Sequence, residues 1–99
     1  MAVVEVTIVP IGVESTSLSS YVAGAFKVLE KSTLKHELTA MGTIISGDLD
    51  DILKTVRLMH ESFFSAGVMR VVTQIRIDDR RDKKASPEQK IRSVKEKLK

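Results

Sequence analysis

The hydrophobic period switches repeatedly along this chain, and the order of the switches narrows the possible folds. Residues 2–10 alternate with period two: Ala2, Val4, Val6, Ile8 and Pro10 point one way, Val3, Glu5, Thr7 and Val9 the other. That is the signature of a strand with one buried side, here the first set. A Gly/Ser/Thr-rich loop over 11–20 leads into a helix from about Ser19 to Lys31, with Val22, Ala25, Phe26 and Leu29 as its apolar stripe and Ser17 or a neighbouring hydroxyl as cap. Residues 36–41 and 43–47 read as two short strands reversing at Gly42, a residue without a Cβ to clash at positive φ. With Met41 opposite Ile44 and Thr39 opposite Ser46, the residues Glu37, Thr39, Met41, Ile44 and Ser46 share a face, and Thr43 puts a hydroxyl at the tip. Asp48 caps a second helix over 49–65, striped by Leu49, Ile52, Leu53, Val56, Met59 and Phe63 and stopped by Gly67. The last strand covers 68–78, with Met69, Val71, Thr73, Ile75 and Ile77 toward the helices.

The order strand, helix, strand, strand, helix, strand predicts an α+β, ferredoxin-like βαββαβ sandwich with an added C-terminal helix. Residues 1–79 form the ferredoxin-like domain. Residues 80–99 are a basic linker and helix belonging to the same domain or assembly. In that tail Ser86-Pro87-Glu88-Gln89 has capping-box spacing with proline at the first helical position, and Ile91, Val94 and Leu98 make a narrow stripe. Two helices cover one sheet face and leave the other open. The open face carries Glu5, Thr7, Val9, Glu37, Thr39, Met41, Ile44, Ser46, Arg70, Val72, Gln74 and Arg76. Mixed charges and apolar groups of this kind pair well across a symmetric contact, so a homodimer or homotetramer is expected.

Charge limits the partners. Residues 80–99 hold nine Lys/Arg and three Asp/Glu, a net of +6, while residues 1–79 hold seven and ten, a net of −3. A nucleic-acid reading must therefore rest on the tail. Sheet-surface RNA readers also stack bases on strand aromatics, and Tyr21, Phe26, Phe63 and Phe64 all fall in predicted helices, so nucleic acid is not an expected partner. No apolar run is long enough to span a bilayer and the N-terminus does not read as a signal peptide. The chain has no cysteine, which rules out disulfides and thiolate metal sites and leans toward a cytoplasmic location.

Catalytic constellations are sparse. His36 and His60 have no metal-ligand spacing, and Asp48, Asp50 and Asp51 are the acids a helix dipole favours in a first turn. No catalytic residue, metal or cofactor is expected. The hydroxyl run Ser15-Thr16-Ser17-Leu18-Ser19-Ser20 precedes a helix N-terminus, where free N–H groups can hold an anion or where the hydroxyls serve only as caps.

Taken in order, Pro10-Ile11-Gly12, Ser15-Thr16-Ser17-Leu18-Ser19-Ser20-Tyr21-Val22-Ala23, Met41-Gly42-Thr43, Gly47-Asp48-Leu49-Asp50 and the ending from Arg70 to Lys83 resemble the small thiamine-binding protein family over nearly the whole chain. The resemblance implies the ferredoxin-like fold, sheet-to-sheet dimers and often tetramers, and binding of thiamine or a related pyrimidine without known catalysis. With that ligand in view, hydroxyls of Thr16, Ser17 and Thr43 serve the polar edges of the aminopyrimidine. Met41 beside Gly42 offers a soft apolar surface, and Glu37 offsets the cationic thiazolium. A phosphorylated form would use the first helix's N-terminus instead. Two other readings stand beside this one: an assembly or regulatory protein acting through its open face and basic helix without a small ligand, and an acylphosphatase-type enzyme, whose phosphate loop would need an Arg that the first loop lacks.

Overall fold

The computed structural model describes residues 1–14, 18–82 and 87–98. Its elements are β1 (Ala2–Ile11), α1 (Ser19–Glu30), β2 (Lys35–Thr39), β3 (Gly42–Gly47), α2 (Leu49–Ser65), β4 (Arg70–Asp79) and α3 (Pro87–Lys97). The four strands form one antiparallel sheet in the order β2-β3-β1-β4. This is the ferredoxin-like arrangement that the alternation of periods predicts.

The core lies between the sheet and α1/α2. Val4 and Val6 on β1 pair with Ile45 and Thr43 on β3, so these four residues share the helix side of the sheet. Phe63, Leu29, Ile45, Ile52 and Val4 are its largest fully buried side chains, each worth roughly 1.5–3 kcal/mol of apolar burial. α2 keeps the expected stripe except Leu53, which is exposed. Asp48 caps it as read, its carboxylate accepting the Asp51 N–H at 3.3 Å. Gly67 follows the C-cap at φ +94°, a left-handed conformation that glycine adopts without strain. α1 starts after Leu18 with no side-chain cap bond; the expected cap Ser17 lies outside the described residues, as does Ser86 of the capping box before α3.

The hairpin departs from expectation. The strands end at Thr39 and resume at Gly42, so Ala40 and Met41 form the turn and Thr39 pairs with Gly42, not Ser46. Met41 therefore leaves the sheet face to which the sequence reading assigned it. Thr39 explains the shift: its hydroxyl donates to the Gly42 carbonyl at 2.8 Å and accepts the Met41 N–H at 3.2 Å, closing the turn with its own side chain. Gly42 is a close-approach residue, because a Cβ there would sit 3.0 Å from the Val6 carbonyl oxygen and 3.1 Å from Thr7 Oγ1. Thr43 is consequently not at the tip but inside β3, facing the helices.

β4 has the expected side-chain parity with less burial. It is an outer strand, and Met69, Ile75 and Ile77 stay exposed although the last two point to the helix side. The open face carries the expected residues apart from Met41. α3 lies across part of that face. Glu88 meets Lys35 of β2 at 2.5 Å and Lys90 meets Asp78 of β4, yet no α3 residue is buried.

Candidate functional site

β1 is longer than its neighbour. β3 pairs with Ala2 through Val6, whereas β4 pairs with Ala2 through Ile11. Residues 7–11 thus have no strand beside them on the hairpin side. Pro10 sits in this segment, paired with Val71 of β4 alone.

On the helix side of the gap is a cavity of about 230 Å³. Val6 and Ile8 of β1 form its floor, Val22 and Ala25 of α1 one wall, and Phe63 of α2 the back, while the hairpin from Leu38 to Thr43 closes the remaining side. Phe63 is held flat by Tyr21, stacked at 5.8 Å and 17°. The hairpin tip is tied to β1 by Thr7, whose hydroxyl donates to the Met41 carbonyl at 3.4 Å. Met41 stands at the rim, 81% exposed.

Among the described residues, the lining carries no ionisable side chain. Its hydroxyls belong to Thr7, Thr39 and Thr43. The first two are used at the turn. Thr43 is 7% exposed, on the floor side, and its hydroxyl has no hydrogen-bond partner among the described residues. A flat ring with a polar edge suits such a cavity: apolar walls take the ring faces and one hydroxyl can donate to or accept from the edge.

Of the residues the sequence reading nominated, Met41, Gly42 and Thr43 meet at this cavity. Glu37 does not. It pairs with Ile44 on the open face, on the other side of the sheet from Thr43 and outside the cavity lining. It keeps the open face to which the sequence assigns it, and that face is turned away from the cavity. Thr16 and Ser17 lie outside the described residues. The reading missed the apolar wall, chiefly Leu38, Val22 and Phe63. Leu38 had a usable signal, because it pairs with Thr43 across the hairpin once the turn is placed at residues 40–41.

The remaining polar clusters are engaged internally. His36 Nδ1 lies 2.8 Å from the Leu34 carbonyl, with its ring against the edge of Phe26. His60 Nδ1 lies 2.6 Å from Thr73 Oγ1, with Phe64 beside it. At the opposite end of the sheet a groove is lined by Met1, Asp48, Asp79, Arg80 and Arg81. There Arg81 bonds Asp79 at 2.9 Å and holds its carboxyl below the ordinary range, and Arg80 bonds Asp82 at 2.6 Å, so both guanidinium groups are already engaged. Among the described residues no cluster of His, Cys, Asp or Glu is disposed to hold a metal, and no helix is long and apolar enough to cross a membrane.

A family model described as thiamine-binding protein matches residues 4–95. The Bacillus subtilis protein YqgV, of the uncharacterised family UPF0045, is 49% identical over 98 residues, covering 95% of this chain and 94% of that protein. A UPF0045 protein of Methanothermobacter thermautotrophicus is 44% identical over 99 residues, covering 99% and 100%. Among solved structures, the hypothetical protein MJ1052 of Methanocaldococcus jannaschii superposes with a TM-score of 0.87 at 42% identity, over 96% of each chain. A Thermotoga maritima protein provisionally assigned to thiamine biosynthesis or salvage shares the fold, with a TM-score of 0.79 at 22% identity over 94% of this chain and 97% of its own.

Proposed function

The chain belongs to the thiamine-binding protein family, and from that premise we propose that it is a non-enzymatic, oligomeric binding protein for thiamine or a thiamine precursor. The cavity under the β1 gap is the site. The observation that carries this is the Thr43 hydroxyl, which lines the cavity and has no hydrogen-bond partner among the described residues. Among those residues no buried side-chain polar atom lacks a partner, so this hydroxyl is within reach of solvent, and a ligand edge that replaces the water keeps the hydrogen bond.

Size and charge refine the ligand. A dry cavity of about 150 Å³ accepts a benzene ring; about 230 Å³ therefore suits one substituted six-membered ring. The aminopyrimidine ring fits that description. The cationic thiazolium would find no carboxylate in the described lining and stays at the mouth, beside Met41. Hydroxymethylpyrimidine alone should then bind at least as well as thiamine, and a phosphate on the distal arm should add little within the cavity.

Titration calorimetry with thiamine, its phosphates and hydroxymethylpyrimidine tests this. Thr43→Val keeps shape but removes the hydroxyl, and is expected to cost roughly 1–3 kcal/mol, a five- to hundred-fold loss of affinity. His60→Gln, away from the cavity, should leave binding unchanged. Wild-type protein that binds none of these compounds would hand the function to the ligand-free assembly reading.

A further inference from the structure

The main chain of β1 offers the cavity what few of its side chains do. The hairpin turn has two central residues, Ala40 and Met41, so Thr39 and Gly42 turn their main-chain groups toward each other. Thr43, one residue on, turns its amide and carbonyl the opposite way, toward its partner Val6 on β1. The Val6 carbonyl oxygen agrees with this, lying 3.0 Å from where a Cβ on Gly42 would stand. β1 pairs with β4 in ten consecutive steps without a bulge. Its main-chain groups on the hairpin side therefore belong to every second residue: Val6, then Ile8, then Pro10.

Val6 meets Thr43, but Ile8 falls in the gap. Continuing the ladder would set Met41 opposite Ile8. Met41 is otherwise engaged: its N–H donates to Thr39 Oγ1 at 3.2 Å and its carbonyl accepts from Thr7 Oγ1 at 3.4 Å. Pro10 brings a carbonyl and no N–H. Over residues 7–11 the edge toward the hairpin thus presents one donor, the Ile8 amide, with the Ile8 carbonyl beside it, and Ile8 lines the cavity. An added strand needs a row of donors. A small ring needs one donor and one acceptor.

We infer that the Ile8 main chain reads the ligand ring: its N–H donates to a ring nitrogen and its carbonyl accepts from an amino group on the adjacent carbon, the ring taking the place of the missing strand. This rests on the cavity as the site of the proposed function. The class selected is a six-membered heteroaromatic ring with an acceptor nitrogen next to an exocyclic amine. In a 4-aminopyrimidine the pair is N3 and the 4-amino group. The Thr43 hydroxyl, set on the helix side of the sheet, is left for another polar atom of the ring. Apolar walls then fix the size of the ring, and the strand edge fixes its hydrogen-bond pattern.

Titration calorimetry with hydroxymethylpyrimidine, its 4-desamino analogue and its 3-deaza analogue tests this on wild type and on Thr43→Val. The analogues lack the donor and the acceptor of the pair, respectively. Each should bind wild type roughly ten-fold more weakly than the parent, or worse. The same factor should persist in Thr43→Val, which leaves the strand edge untouched. Hydrogen exchange at the Ile8 amide should slow by roughly ten-fold or more when hydroxymethylpyrimidine saturates the wild type. An analogue that binds like the parent overturns the inference. So does a penalty that vanishes in Thr43→Val, which would give the pair to that hydroxyl, and so does an Ile8 amide whose exchange the ligand leaves unchanged. In each of those outcomes the cavity reading stands. Wild type that binds none of the compounds overturns the inference and the cavity reading together.

Discussion

The two faces of one sheet are covered by opposite means. On the helix side, α1 and α2 bury Val4, Ile45, Leu29, Ile52 and Phe63 completely. On the open side, α3 lies over the sheet with no buried residue, and exposed ion pairs from Glu88 and Lys90 tie it there. Apolar burial is short-ranged, cumulative and nearly indifferent to salt, whereas exposed ion pairs are individually worth about 0–1 kcal/mol and are screened. The same polypeptide therefore has a cover that is part of its folding unit and a cover that can be exchanged. The first frames the cavity; the second contributes little to the folding unit.

The sharpest way to break this contrast is Phe63→Ala. Phe63 belongs to both the core and the cavity wall. Truncation should cost about 3–5 kcal/mol in urea unfolding and abolish ligand binding with it. Gly42→Ala probes the seam between hairpin and β1. The added methyl would press on the Val6 carbonyl and the Thr7 hydroxyl, with a cost of about 1–3 kcal/mol and a weakened cavity, read by the same unfolding curve and by calorimetry. Lys35→Ala touches only the exchangeable cover. It should change core stability by less than about 1 kcal/mol, while hydrogen exchange in α3 speeds up, an effect that added salt reproduces in wild type. A loss of several kcal/mol from Lys35→Ala would erase the distinction between the two covers.

Much of this was readable in advance where a pattern had many members. The alternation of 2–10 and the stripe of 49–65 each involve several side chains on one side, and burial leaves them a single consistent answer. The thin stripe of α3 also foretold a helix that does not pack for itself. The hairpin was not readable in the same way. Gly42 has the look of a turn residue, but it is kept small by the Val6 backbone, a contact between segments distant in sequence. The turn belongs to Thr39, whose two hydrogen bonds leave no periodic trace. The turn takes Thr43 off the tip and into a buried wall, while Glu37 stays on the open face to which the alternation assigns it. Which polar groups share a pocket depends on where the turn closes, so the candidate site was less legible than the fold around it.

The β1–β4 ladder has a consequence for how the chain is made. Its ten pairs join Ala2 to Asp79 and Ile11 to Arg70, the most distant partners in the sheet. At about 5–20 residues per second of synthesis, the 68 residues from Gly12 to Asp79 take roughly 3–14 s to appear. Until β4 is made, β1 can pair only with β3, itself complete only once Gly47 is made, and residues 7–11 have no strand on either edge. The strand that frames the cavity is thus the one longest without its full set of neighbours on the nascent chain. Pro10 interrupts its row of amide donors, which makes the waiting segment a poor template for joining strands from other nascent chains.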